Sequence, residues 1–158
     1  MAYRIDLPNI DIIFTQKAVT AVQRSERGVL CVIMKDTQQD AGIKKFVYKR
    51  GADVEKTDYT TANYDALMRA FDVAVNKVYV LRCAEATEFT DIAKELDKIK
   101  FNYVCTNVKA DQQALANDVV QRNVDNQGHK CVAVVANITQ GDSKYVIKLK
   151  GDSGKLKA

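Results

Sequence analysis

The chain has 158 residues, 47% hydrophobic and 28% charged, which suffices for one folded domain and excludes an intrinsically disordered protein. One proline and seven glycines exclude collagen-like and low-complexity classes. The net charge is +4, but residues 144–158 hold five lysines and one acid while residues 1–143 are neutral, so we expect no nucleic-acid partner.

Residues 1–27 differ from the rest and are predicted to form an extended N-terminal β arm. Charges at Arg4, Asp6 and Asp11 exclude a signal peptide, and no stretch reaches the ~20 apolar residues of a membrane span. We therefore expect synthesis in a cytoplasm and no membrane partner. The pattern allows the arm strand either to pair with its own sheet or to reach another chain. The predicted arm strand consists of Asn9, Ile10, Asp11, Ile12, Ile13 and Phe14.

Residues 28–150 are predicted to form an α/β domain, which begins with two strands. Residues 29–35 are a continuous apolar run, typical of a central parallel strand buried on both faces. Residues 43–50 set Ile43, Phe46 and Tyr48 against lysines, which indicates a more exposed strand.

From residue 60 onward, helices and strands alternate. Strands are expected at residues 78–81, 103–105 and 132–136, with a last edge strand at 144–149. Consecutive crossovers make neighbouring strands parallel, so the sequence predicts a three-layer domain with a largely parallel sheet flanked by helices. Three amphipathic helices are also expected, and Asp111 is predicted to cap the third. Their predicted inward faces consist, in chain order, of Tyr64, Leu67, Met68, Phe71 and Val75; of Phe89, Ile92, Ala93, Leu96 and Ile99; and of Leu115, Val119, Val120 and Val124.

Four cysteines are spread along the chain within apolar stretches and form no CxxC pair. Zinc sites need closely spaced cysteines or histidines, and the only histidine is His129. We therefore expect reduced, buried thiols and neither a metal nor another cofactor. The four are Cys31, Cys83, Cys105 and Cys131.

The residues that could support catalysis are few. Asp36 and Glu85 follow predicted strands, where a phospho-acceptor site would need clustered acids, and both are interpreted as solvated strand ends. Ser153 lies in a GDSG tetrapeptide, but its only candidate base, His129, is predicted to be a turn residue. Phosphate-cradling glycine motifs are missing, so we expect no enzyme. The tyrosines form no stacking platform for bases, and Tyr64, Tyr79 and Tyr103 occupy core-pattern positions.

The N-terminal segments resemble the start of contractile phage tail sheath proteins, above all those of myophages and defective prophages of Gram-positive bacteria. The likeness rests on residues 7–14 (LPNIDIIF), 18–22 (AVTAV) and 24–29 (RSERGV), followed by a buried strand that ends in Lys35-Asp36. The predicted α/β layout of residues 60–136 agrees with that family.

The resemblance implies a structural subunit that polymerises with other copies around the tail tube protein and contracts to drive the tube into the target cell. It places the protein in the tail of a virion or a phage-tail-like particle, assembled in the host bacterial cytoplasm. Residues 9–14 are then an arm strand that pairs with neighbouring subunits, with Ile10, Ile12 and Phe14 on one side and Asp11 and Ile13 on the other.

Sheath proteins of this family are usually much longer than 158 residues. We therefore expect a fragment or a shortened relative, with residues 151–158 a flexible lysine-rich tail or a truncation point. The alternative is a stand-alone α/β domain that binds a small ligand or acts in signalling.

Overall fold

The computed structural model describes residues 28–38, 41–72, 75–125, 130–136, 138–140 and 142–149. These residues form a six-stranded mixed sheet with three α-helices, which confirms the predicted α/β fold. The predicted arm strand, residues 9–14, and the predicted tail, residues 151–158, lie outside the described residues.

The described strands and helices alternate along most of the chain. The strands are β1 (Val29–Lys35), β2 (Ile43–Tyr48), β3 (Lys77–Cys83), β4 (Tyr103–Thr106), β5 (Val132–Val135) and β6 (Val146–Lys148). The helices are α1 (Thr61–Asp72), α2 (Phe89–Leu96) and α3 (Gln112–Val124), with 3₁₀ turns at Gly51–Asp53 and Lys56–Asp58.

The sheet has the strand order β2-β3-β1-β4-β5-β6. All neighbouring strands are parallel except β2, which pairs antiparallel with β3 at one edge. The chain leaves β1 for β3 on one side and then crosses back to β4 on the other, so the topology reverses between β1 and β4. In open parallel sheets, that reversal point at the carboxyl ends of the strands is where ligands bind.

Helices α2 and α3 pack on one face of the sheet. Ile33 and Val104 of the sheet lie with Leu96 of α2 and Leu115 of α3 in one buried cluster, all completely inaccessible to solvent. Burying each such side chain contributes about 1.5–3 kcal/mol to the free energy of folding. Because the buried cluster on this face is the larger of the two, this face supplies most of the hydrophobic core.

Helix α1 packs on the opposite face, over β1 and β3. Leu67 is fully buried against Val32, Val78 and Val80, and three further predicted inward residues of α1 are partly buried around it: Tyr64, Met68 and Phe71. The last predicted position, Val75, lies beyond the end of the helix but is partly buried in the same cluster. The predicted face of this helix is therefore confirmed.

The predicted inward face of α3 is only half right. Leu115 and Val119 are buried, but Val124 is 66% exposed. Val124 lies nine positions after Leu115, which is about 900° of rotation at 100° per residue and places the two on opposite sides of the helix. The inward positions near the helix end are taken instead by Arg122 and Asn123.

Asn123 ties the end of α3 to the residue preceding β5. Its side-chain oxygen accepts a hydrogen bond from the Cys131 N–H (3.2 Å), and its amide nitrogen donates to the Cys131 carbonyl (2.8 Å). The side chain thus satisfies both backbone groups of a buried residue, which an apolar residue cannot do.

Arg82 holds the antiparallel edge strand against the 3₁₀ turns. Its guanidinium lies 4.9 Å from the Phe46 ring centroid and 5.5 Å from that of Tyr59, and it donates a hydrogen bond to the Asp58 carbonyl. Tyr59 and Tyr48 also share a buried hydrogen bond of 3.0 Å between their hydroxyls. A buried cation is tolerated here because two ring faces and a carbonyl replace its hydration.

Candidate functional site

Asp36 lies directly after β1, at the reversal point of the sheet. It is 1% exposed, so the interpretation of Asp36 as a solvated strand end is wrong. Its carboxylate accepts hydrogen bonds from the N–H of Gln38 (2.9 Å), the N–H and hydroxyl of Thr60 (3.0 and 3.1 Å) and the side-chain amide of Asn63 (2.6 Å). Asp36 therefore fastens the start of α1 to the end of β1.

Two asparagines extend this contact to β4. The Asn63 amide nitrogen also donates to the Lys35 carbonyl (3.0 Å), and its oxygen accepts from the Asn107 amide (2.7 Å). The Asn107 oxygen in turn accepts from the Lys35 N–H (3.3 Å). We call Lys35, Asp36, Thr60, Asn63 and Asn107 the carboxyl-edge network. The sequence reasoning missed both asparagines, because hydrophobic periodicity carries no information about polar partners.

The Asp36 carboxylate is charged at neutral pH. Burial opposes ionisation, but the hydrogen bonds from Gln38, Asn63 and Thr60 outweigh it and bring the pKa below its ordinary value. Both of its oxygens are engaged by donors from the chain itself, so the carboxylate fastens neighbouring segments together.

The second predicted strand-end acid, Glu85, is exposed. It therefore agrees with its interpretation as a solvated residue. Within the described ranges, no group of three or more His, Cys, Asp or Glu side chains could hold a metal ion.

Asp111 occupies the predicted N-cap position of α3, but its side chain makes no capping hydrogen bond. Instead its Oδ2 lies 3.0 Å from the Lys35 ammonium nitrogen. This oxygen is buried and has no hydrogen-bond partner among the described residues. The positive charge of Lys35 therefore compensates the negative charge of the carboxylate. This ion pair links the end of β1 to the start of α3.

An open groove of about 620 Å³ lies between the turn before β2 and helix α2, next to the carboxyl end of β3. Gly42 forms this turn with a φ of +73°, a backbone conformation that favours glycine. The groove carries charges of both signs, and two opposite pairs neutralise each other, Asp91 with Lys94 (2.8 Å) and Glu95 with Lys98 (2.6 Å). It thus lacks the excess positive charge of a phosphate site.

Among the described residues, helix α3 covers one face of the half of the sheet formed by β4, β5 and β6, and no helix covers the other face. On the other face the register aligns Tyr103 with Val132, and Cys105 with Val134 and Ile147. Tyr103 is 43% exposed and Ile147 45%, so the expectation of a core position for Tyr103 is wrong. We call these five residues the open face. Parallel strands are normally covered on both faces, so this surface is a candidate for contact.

The cysteines are free thiols, as expected. Cys31, Cys83 and Cys131 are buried, and Cys105 is partly exposed on the open face. Burial raises the pKa of the thiols of Cys83 and Cys105 to about 11 and that of Cys31 further.

Alkylation of Cys31 and Cys83 by iodoacetamide at pH 8 is therefore expected to be at least about 100-fold slower in the native chain than in urea, because the reactive thiolate is both rare and inaccessible. Peptide mapping by mass spectrometry measures the rates. Rapid modification of these two residues under native conditions contradicts the buried strand assignments.

Three other features singled out in the sequence cannot be placed. His129, Ser153 and the arm strand at residues 9–14 all lie outside the described residues. Within the described residues, none of the helices is long and apolar enough to traverse a bilayer.

No protein-family model matches the chain. Among curated proteins, it is similar to a tail sheath protein of Clostridium phage phiCD119, with 26% identity over 151 aligned residues. The alignment covers 89% of this chain and 40% of that relative, so the chain spans about two fifths of the relative's length. The similarity supports a relationship with tail sheath proteins and agrees with the resemblance seen in residues 7–36.

Proposed function

We propose that the chain is a structural, non-enzymatic subunit, or part of one, of the sheath of a contractile phage tail or phage-tail-like particle. In this role it polymerises with other copies around a tail tube protein, and contraction of the polymer drives the tube into the target cell. The observation that carries the proposal is the similarity to a tail sheath protein along 89% of the chain.

The geometry of the described domain supports a scaffold. The most conspicuous polar cluster, the carboxyl-edge network, uses its hydrogen-bonding groups to fasten β1, β4 and α1 together. A domain that transmits force within a polymer needs its elements fastened in this way.

Residues 9–14 are proposed to link subunits by adding a strand to a neighbour. Backbone hydrogen bonds would supply the strength of this link, and Ile10, Ile12 and Phe14 would fill pockets on one side. In the assembled particle, the linked copies lie in the tail outside the tube.

Mixing the full chain with the full-length relative from Clostridium phage phiCD119 tests this role. We expect the chain to enter its sheath polymers, seen as labelled striated tubes by electron microscopy. The double variant Ile12→Asp with Phe14→Asp should reduce incorporation at least about tenfold, because each lost apolar contact is worth about 1.5–3 kcal/mol. The matched control is Asp11→Asn, on the opposite side of the strand, which should incorporate normally. Failure of the unmodified chain to enter any polymer contradicts the proposed function.

A stand-alone ligand-binding or signalling domain is the second candidate, and the groove of about 620 Å³ beside β3 is the observation that favours it. Thermal melts with Mg²⁺, nucleotides or acyl phosphates test this candidate. A rise of several degrees with one of them supports it, because a ligand that binds only the folded state stabilises that state. The absence of any rise argues against it.

A further inference from the structure

The open face is too small for a stable contact between two copies of the domain. It spans three strands that lie ~4.8 Å apart and are three or four residues long, so it offers roughly 150–200 Å². A stable interface needs about 800 Å² from each partner. One short extended segment of about six residues, ~20 Å long, matches the size of the face much better.

The start of strand β1 lies close to this face. The N–H of Val29 donates to the Asn102 side chain (3.2 Å), and the Asn102 N–H donates to the Val29 carbonyl (2.9 Å). Strand β1 therefore begins beside Tyr103, at the border of the open face. Residues 1–27, which precede this point, contain the apolar run at 9–14.

The connection is long enough to place that run anywhere on the face. Residues 15–27 can extend over ~45 Å, whereas the open face is only ~15 Å across. A segment tethered in this way has an effective concentration in the millimolar range, far above that of a second copy in a dilute solution.

We propose that in the free chain residues 9–14 pack on the open face of the same molecule, with Ile10, Ile12 and Phe14 towards Tyr103, Cys105 and Ile147. Alternation along an extended segment then leaves Asp11 towards water, which a charged side chain requires. The contact concerns the free chain and does not depend on the sheath role. If residues 9–14 of one copy packed on the open face of another copy instead, the same contact would link the two molecules. Such an exchange of an identical segment is a low-cost route to an assembly.

Cysteine cross-linking in the full chain tests the contact, because Cys105 already lies on the open face. We expect Ile12→Cys to form an intramolecular disulfide with Cys105 under mild oxidation at low protein concentration. Asp11→Cys is the matched control and should react at least about tenfold more slowly, since the proposed packing puts position 11 on the side of the segment away from the sheet. The product is identified by peptide mapping and is absent when Cys105→Ala is added to Ile12→Cys.

A second measurement does not depend on disulfide geometry. The double variant Ile12→Asp with Phe14→Asp should raise the alkylation rate of Cys105 about tenfold or more by uncovering it, while Cys31 and Cys83 stay protected in the intact fold. Equal cross-linking of Ile12→Cys and Asp11→Cys, or an unchanged alkylation rate of Cys105, overturns the proposal. Disulfide-linked dimers as the main product also overturn it, in favour of a second copy as the occupant.

Discussion

Replacing Asp36 with alanine is expected to lower the free energy of unfolding by about 3–4 kcal/mol. The change leaves the Thr60 N–H and hydroxyl and the Asn63 amide without their acceptor in a site that is almost closed to water. Each buried donor without a partner costs about 1–3 kcal/mol. Urea unfolding at pH 7 measures the loss.

The dependence of the free energy of unfolding on acid pH tests the charge of the Asp36 carboxylate separately from the shape of its side chain. Its pKa is lower in the folded chain than in the unfolded chain. The carboxylate therefore contributes stability that is fully present above the unfolded pKa of about 3.9 and is lost as the pH falls through the lower folded value.

Asp36→Asn keeps the shape of the side chain but removes this titration. We expect it to be about 2 kcal/mol less stable than the natural chain at pH 7, with a smaller further loss between pH 5 and pH 2. Glu85→Gln, at the exposed acid after β3, is the matched control and should keep the natural acid dependence. An unchanged acid dependence in Asp36→Asn contradicts the assignment of Asp36 as a buried, charged acceptor.

Arg122→Met is expected to destabilise the domain by about 2–3 kcal/mol. Arg122 is 9% exposed and lies in the last turn of α3. Its guanidinium donates to both carboxylate oxygens of Asp118 (2.5 and 3.2 Å), to Asp97 beyond the end of α2, and to the Ala93 carbonyl (2.8 Å). It thereby joins the two helices that cover one face of the sheet.

The loss in Arg122→Met comes mainly from the groups left behind. Methionine retains the apolar part of the side chain, whereas Asp118 keeps its charge without a partner and the Ala93 carbonyl loses a donor. Lys94→Met is the control, because the Lys94–Asp91 pair is exposed and solvent screens it, so its loss should change stability little. Thermal unfolding compares the two variants. Equal effects of the two substitutions contradict a role for Arg122 in joining the helices.

Much of the fold could be predicted because the hydrophobic pattern follows the geometry of each element. The continuous apolar run of β1 predicted a central strand, and the spacing of Leu67 with its neighbours predicted the buried face of α1. Alternation of helices with strands predicted the parallel crossovers. The prediction was wrong at Val124, because nine positions at about 100° per residue bring this side chain to the side of the helix opposite Leu115.

The candidate site was harder to predict, because polar partners are distant in the sequence. Asp36, Asn63 and Asn107 meet only once β1, α1 and β4 are in place, over separations of 27 and 44 residues. Asp111 was predicted as a helix cap from its local context, but a nearby lysine at the end of β1 attracts its carboxylate instead.

The sequence by itself determined which segments become strands and helices, and it indicated the relationship with tail sheath proteins through residues 7–36. Both are local properties, set by side-chain periodicity and by the order of short motifs. Only the tertiary structure decided that Asp36 is buried and charged and that Tyr103 lies on a face that none of the described helices covers. Burial depends on which layers cover a strand, and that is settled by the packing of elements far apart in the chain.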